Sequence, residues 1–386
     1  MNIIPLTLYI HFPWCAKRCP YCDFNAHTQP DTVPQEKYIT ALLKDLDNDL
    51  SWIQDRPIQA IFMGGGTPSL FDSHWLNFLL KAIQQRCIFD KNIEITIEAN
   101  PGRVDSAKLE GYFQAGINRL SLGIQSFNDE ALQQLGRIHS AEHAYQAIQA
   151  ARAAGFNNLN LDLMFGLPKQ TLSQALLDLK IAVENQPEHL SWYQLTLEPN
   201  TPFYRHPPVL PDDDAVALIQ EQGHAFLLKN NFNPYEVSAF SKMNRRCRHN
   251  INYWEFGDYL GMGAGAHSKI TLPHSKEIIR CQKTRMPKDY LAGAEINSSE
   301  FRAKTNFITQ QDLIFEFMLN ALRLQDGFSL DLFEQRTGLS ATALDKPLKQ
   351  AIEKEFLTRE SINNQAWIMP TPLGRRFLND LTEIFL

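Results

Sequence analysis

Cys15, Cys19 and Cys22 fall within eight consecutive positions of a 386-residue chain that holds six cysteines in all. Three thiolates on one short loop point to a metal site, and three is the informative number. Structural zinc is closed by four ligands. A 4Fe–4S cluster is normally held by four cysteines, so three leave one iron open to an outside ligand. S-adenosylmethionine (SAM) can chelate such an iron through its amino and carboxylate groups. One electron from the reduced cluster then cleaves its sulfonium to a 5′-deoxyadenosyl radical. The competing reading is a zinc knuckle completed by His11 or His27, but zinc ligands usually come as paired C-x-x-C.

The remaining cysteines, Cys87, Cys247 and Cys281, are scattered, unlike a disulfide framework. Apolar residues make up 44% of the chain and charged residues 21%, ordinary values for a globular protein with a sizeable core. A net charge of −6 argues against non-specific nucleic-acid binding. No run reaches the ~18 apolar residues of a membrane span. The opening MNIIPLTLYIHF lacks Lys, Arg and a cleavage site, so it does not read as a signal peptide. These features lead us to expect a reducing cytoplasm.

Short apolar runs alternate with amphipathic ones. Strands are predicted at Leu6–Ile10, Ala60–Met63, Ile93–Glu98, Asn118–Leu122, Leu159–Met164 and Leu190–Leu195. Helical patterns lie between them at Gln35–Ile53, Ser73–Arg86, Ser106–Ala115, Ala141–Ala154 and Leu172–Asn185. Alternating strands and helices predict a parallel α/β sheet. Polar chemistry follows each strand: the cysteines, Gly64-Gly65-Gly66-Thr67-Pro68, Glu98, Gln125, Asp162 within the fifth, then Thr196 and Glu198. Polar groups at many successive strand ends mark the top face of a barrel, whereas an open sheet gathers its site at one switch point. The expected fold is a partial TIM-like (β/α)6 barrel over residues 1–235. A further helix is predicted at Asp213–Asn230, and a mixed extension over 236–304. Residues 305–386, with helical patterns at Asp312–Leu324, Leu330–Thr337 and Ala341–Glu355 and a strand at Trp367–Met369, predict a winged-helix-like domain.

The blocks Tyr9-Ile10-His11-Phe12-Pro13-Trp14-Cys15 to Cys22-Asp23-Phe24, GGGTP at 64–68, Glu98-Ala99-Asn100-Pro101, Gly123-Ile124-Gln125-Ser126-Phe127, Leu135-Gly136-Arg137, Asp162 to Pro168 and Gly261-Met262-Gly263-Ala264 occur in this order. In them the chain resembles the radical SAM coproporphyrinogen-III-oxidase-like family over essentially its whole length. The resemblance implies cluster ligation by Cys15, Cys19 and Cys22. It also implies cofactor contacts from Tyr9, Tyr21, Phe24, Gly65, Gly66, Thr67, Glu98, Gln125, Arg137 and Asp162. Their chemistry suits SAM: glycines let backbone approach a ligand, an Arg takes a carboxylate, and acids and amides take ammonium and hydroxyl groups.

The family contains an oxygen-independent oxidase, which decarboxylates two propionates of coproporphyrinogen III, and a haem-chaperone (HemW-type) branch, which binds haem for an acceptor haemoprotein. Three features favour the chaperone branch. Phe24 stands where the oxidase pattern has another cysteine. Only eight residues precede Tyr9, too few for the oxidase's leading segment. His249-Asn250-Ile251-Asn252-Tyr253-Trp254 fits the branch's H-N-x-x-Y-W block. Imidazole is a common axial haem ligand and phenolate an occasional one. A porphyrin would pack on Tyr253 and Trp254, and Arg245, Arg246 and Arg248 would pair its propionates. Core packing is the competing reading of these residues, and His139, His143, His267 and Cys247 are further haem candidates. An electron donor such as flavodoxin or a ferredoxin is the other implied partner. In the C-terminal domain, Lys346, Lys349 and Lys354 alternate with Asp345, Glu353 and Glu355, which is no basic stripe. A docking or lid role is expected there rather than DNA binding.

Overall fold

Period-two alternation shapes the sheet. In β1 (Leu6–Phe12), Leu8, Ile10 and Phe12 enter the main hydrophobic core while Thr7, Tyr9 and His11 point the other way. The same division recurs in β2 (Ile58–Gly65), β3 (Phe89–Ala99), β4 (Arg119–Gln125), β5 (Leu159–Phe165) and β6 (His189–Gln194). Ile95 and Ile97, Leu120 and Leu122, Leu161 and Leu163, and Leu190 and Trp192 face the outer core. Thr96 and Glu98, Arg119 and Ser121, Asn160 and Asp162, and Ser191 and Tyr193 line the inner face. The computed structural model describes residues 4–273, 275–296 and 301–386.

β1 to β6 are parallel neighbours in chain order. Each crossover carries a helix: α1 (Gln35–Ile53), α2 (Ser73–Gln84), α3 (Ser106–Gln114), α4 (Ala141–Ala153) and α5 (Leu172–Glu184). α6 (Asp213–Lys229) follows the sixth strand. Capping boxes at Ser140 and Thr171 and the Asp105 and Asp212 side chains start four of these helices by accepting their free N–H groups. The partial (β/α)6 barrel expected from sequence is the observed architecture.

The extension continues this sheet. After α7 (Arg248–Trp254), β7 (Asp258–Met262) pairs parallel to β1, a seventh parallel strand that sequence reading placed only within mixed structure. β8 (His267–Thr271), β9 (Ile278–Lys283) and β10 (Arg302–Phe307) then extend the same edge antiparallel. α8 (Pro287–Ile296) lies between β9 and β10 in the chain. β10 thus spans residue 305, where the texture of the sequence changes.

In the C-terminal region, α9 (Gln310–Ala321), α10 (Leu330–Thr337) and α11 (Asp345–Glu353) surround Phe317, Phe333, Leu344 and Ile368. The single helix expected at Ala341–Glu355 is instead a 3-10 turn at Ala341–Leu344 followed by α11. Pro347 explains the break: it has no N–H for a continuous helix and is tolerated only in a first turn. β11 (Leu357–Ile362) and β12 (Gln365–Pro370) form the wing. Their tight turn places Asn363 and Asn364 at φ 50° and 62°, a left-handed pair that Asn accommodates.

Candidate functional site: a cysteine loop over a polar barrel lumen

The cysteine loop leaves the carboxyl end of β1 and is tied at both ends. Trp14–Cys15 pairs with His27–Thr28, the His27 N–H donates to Pro13 O at 2.7 Å, and Gln29 N donates to Cys15 O at 2.8 Å. Asn25 Nδ2 donates to Ala264 O and Arg285 O, while the ring Nε2 of His11 lies 2.9 Å from Asn25 O. At the tip, Cys22 N donates to Cys19 O, and Arg18 donates to Cys22 O. Phe203 N docks the loop from outside by donating to Pro20 O. Phe24, where the oxidase pattern has a cysteine, is 59% exposed.

Two donors point at sulfur: Thr67 Oγ1 lies 3.4 Å from Cys15 Sγ and Arg137 Nη1 3.5 Å from Cys19 Sγ. Such donors favour thiolate over thiol. Burial pushes the Cys15 thiol up and Cys22 up to about 11, so metal binding to the free loop releases protons. No group of three His, Cys, Asp or Glu among the described residues is arranged for a single metal ion.

The other sequence-predicted residues gather beside the loop. Gly65 adopts φ 108° and packs against the His11 ring; its N–H donates to Glu98 Oε2 at 3.1 Å. A Cβ on Gly66 would lie 2.6 Å from Trp14 O. These glycines therefore let β2 pass close under the loop. The Glu98 carboxyl is pushed up to about 8, first by burial and then by Asp162. Asp162, also raised by burial, accepts from Ser121 Oγ and Asn160 Nδ2, both at 2.8 Å. Gln125 ends β4 at φ 72°, which turns its side chain to accept from Tyr193 OH at 2.7 Å. Arg137 Nη2 donates to Gly123 O at 2.6 Å, while its Nε is buried without a partner. Tyr9 OH lies 3.0 Å from His11 Nδ1, and the Tyr21 ring packs near Phe203. An unpartnered guanidinium nitrogen, two buried acids and close-passing backbone fit an amino-acid-bearing ligand next to a thiolate cluster.

The H-N-x-x-Y-W block lies at the opposite end of the barrel. α7 closes its floor, its first N–H groups accepted by Glu94 Oε1 of β3, with Arg248 N at 3.0 Å and His249 N at 3.4 Å. The buried His249 ring stacks on Phe62 at 4.9 Å and Tyr9 at 6.2 Å, and burial lowers it to about 3. Asn250 Nδ2 donates to Tyr235 OH at 3.3 Å. Tyr253 stacks on Tyr259 at 4.1 Å, and Arg323 sits 4.3 Å over Trp254. Two of the three arginines expected to meet propionates have partners too: Arg246 pairs with Asp326, and Arg248 donates to Asn92 O.

Sequence reading missed most of the inner face. Ser121, Asn160, His189 and Ser191 form a continuous network, with Tyr193 bonded separately to Gln125; His189 bridges Asn160 Oδ1 at 2.6 Å and Tyr235 OH at 2.8 Å. The signal was present as polar residues two apart in apolar strands, as in Asn160-Leu161-Asp162 and His189-Leu190-Ser191.

Residues 9–180 match the Radical SAM superfamily model, and 308–377 match the HemN C-terminal domain. The chain is 48% identical to the heme chaperone HemW of Haemophilus influenzae, over 99% of this chain and 98% of that protein. The chain belongs to the HemW family. To HemW of Escherichia coli it is 46% identical, over 100% of this chain and 99% of that one. Among solved structures the chain is similar in fold to the E. coli coproporphyrinogen III oxidase HemN, with TM-score 0.82, 24% identity and coverage of 99% of this chain and 90% of that one. That likeness speaks for the fold alone. Membership in a radical SAM family implies a 4Fe–4S cluster and SAM. Among the described residues no helix is long and apolar enough to cross a membrane.

Proposed function

We propose that this chain binds haem, carries a SAM-liganded 4Fe–4S cluster on Cys15, Cys19 and Cys22, and passes haem to an acceptor haemoprotein. The observation that carries this reading is full-length similarity to relatives named as heme chaperones, at 48% and 46% identity. Phe24 in place of a further cysteine supports it.

In this reading Thr67 and Arg137 stabilise thiolate character at Cys15 and Cys19. Arg137 takes the ligand's carboxylate, Gly65 and Gly66 give it close backbone, and Glu98, Gln125 and Asp162 face its ammonium and hydroxyl groups. Tyr9 and Tyr21 wall the site. The cluster, when bound, supplies one-electron reducing power, drawn from a donor such as flavodoxin or a ferredoxin. Of the floor block, His249 offers haem an unpartnered imidazole Nδ1, while Asn250, Tyr253 and Trp254 hold its surroundings. Six unpaired cysteines suit a reducing compartment such as the cytoplasm.

The test is anaerobic reconstitution followed by two parallel assays. The expected result is a Soret band on adding haem and transfer of that haem to an apo-haemoprotein. Release of CO2 from coproporphyrinogen III with SAM and a reductant would replace this reading with the oxygen-independent oxidase.

A further inference from the structure

The barrel floor holds a cation with no counter-ion in contact. Arg119 opens β4, faces the lumen and is 2% exposed. Its Nε has no hydrogen-bond partner, and among the described residues it forms no ion pair. Cys247, Glu94, Tyr235 and Asp162 lie close enough to favour its charge against burial, but among the described residues none of them is in hydrogen-bond contact with it. Glu94 Oε1 accepts from the N-terminus of α7, and Asp162 accepts from Ser121 and Asn160. The sheet ladder sets Thr96 directly beside Arg119 and Phe62 beside Thr96. Two further buried atoms in this layer lack partners, Thr96 Oγ1 and Nδ1 of His249, whose ring lies on Phe62.

A guanidinium, a hydroxyl and an imidazole nitrogen thus share one buried layer, each with an atom that no protein group meets. Burying a charge without a contacting partner is costly. A water molecule would satisfy the hydroxyl and the imidazole but leave the charge. A carboxylate satisfies all three: it matches the Arg fork and accepts from the Thr hydroxyl and an imidazole N–H. α7 closes the floor, so such a group enters from the strand carboxyl ends. Arg119 lies roughly 13 Å along β4 from Gly123, at about 3.3 Å per residue. It is therefore a different cation from Arg137, which Gly123 holds beside the cysteines.

We propose that Arg119, Thr96 and His249 form a carboxylate-binding pocket on the barrel floor, for a ligand that enters the lumen carboxylate-first. The shared chemistry is a propionate-type carboxylate, which a tetrapyrrole side chain and a free short-chain acid both carry. The tetrapyrrole source rests on the haem reading above; the free acid does not.

The experiment uses the full-length protein, with Arg119→Met and Thr96→Val. Melting is followed by circular dichroism, 13C-labelled propionate by NMR, and haem and haem dimethyl ester by Soret titration. Ligand-free Arg119→Met is expected to melt close to wild type, since the neighbouring acids that favour its charge make no contact with it. Carboxylate binding is expected to be lost in it and weakened severalfold in Thr96→Val. Haem binding at least tenfold tighter than the ester in wild type, with the preference gone in Arg119→Met, assigns the pocket to the tetrapyrrole. Arg119-dependent propionate binding, with haem and ester alike or neither bound, assigns it to the free acid; failure of haem to bind at all counts against the haem reading only. The pocket is overturned if propionate fails to bind and haem and ester bind equally, or if carboxylate binding is equal in all three proteins. A large fall in the melting temperature of Arg119→Met, with Thr96→Val binding like wild type, would also overturn it, making Arg119 an internal partner of Glu94.

Discussion

Glu98 shows how one buried carboxyl links stability to ligand chemistry. Burial first, and the Asp162 charge second, push it up to about 8. The unfolded value is about 4.3. The folded chain therefore holds this proton more tightly than the unfolded chain does. The stability it contributes is full below the unfolded value and is lost as pH rises through 8. In the ligand-free protein Glu98→Gln, which keeps the shape and cannot ionise, should match wild type below about pH 4, where both states hold the proton, and melt at a higher temperature than wild type above about pH 8. Two superimposable melting-versus-pH curves would show that the carboxyl is not held protonated. The same shift implies that a bound ammonium expels a proton from Glu98 at neutral pH. Glu98 was legible in sequence because it ends a strand with a polar residue. Tyr193 was not, because within His-Leu-Ser-Trp-Tyr-Gln only the tertiary curl decides which alternate residues meet a ligand.

At the scale of elements, α1 and β9 are joined by a buried ionic cluster that supports the cysteine loop from behind. Lys283 Nζ contacts Asp45 and, at 2.6 Å, Asp49, and all three are buried. Tyr290 OH donates to Asp45 at 2.8 Å, and Gly263 N donates to the same carboxylate at 3.1 Å. Two turns earlier on α1, Tyr38 OH donates to His11 O at 2.7 Å, fixing the end of β1 from which the loop departs. Lys283→Met leaves two buried carboxylates with, among the described residues, only Arg302 as a cationic partner to Asp49. Removing one member of such a set costs about 3–5 kcal/mol. A urea midpoint within error of wild type would refute this role. The six βα units were readable because their apolar periods are long and, after α1, their helices begin at Ser, Thr or Asp. β7 was not: it is five residues long, includes Gly261, and joins β1 from far along the chain, a pairing no local pattern encodes.

Over the whole molecule, the C-terminal helices and wing share a core with the extension instead of hanging beside it. Phe256, just after α7, packs edge-on against Phe317 of α9 at 5.7 Å, and Ile278 of β9 belongs to the same cluster. Ion pairs ring this contact: Arg280 with Glu316, Arg323 with Glu236 at 2.9 Å, and Arg246 with Asp326 at 2.7 Å. The change of texture near residue 305 is real in composition but falls inside β10, so sequence alone suggested a cleaner division than the packing has. A chain ending at Phe307 would keep every barrel strand yet bare Phe256 and Ile278 to water. Each large apolar side chain so exposed forfeits about 1.5–3 kcal/mol, and the resulting patch favours association. α7, which carries Trp254 under Arg323 and closes the lumen floor, would lose its outer support at the same time. The shortened chain should therefore elute as aggregate on size exclusion and unfold at lower urea than the full chain. A monodisperse product with an unchanged midpoint would show instead that the barrel and its floor stand without the C-terminal core.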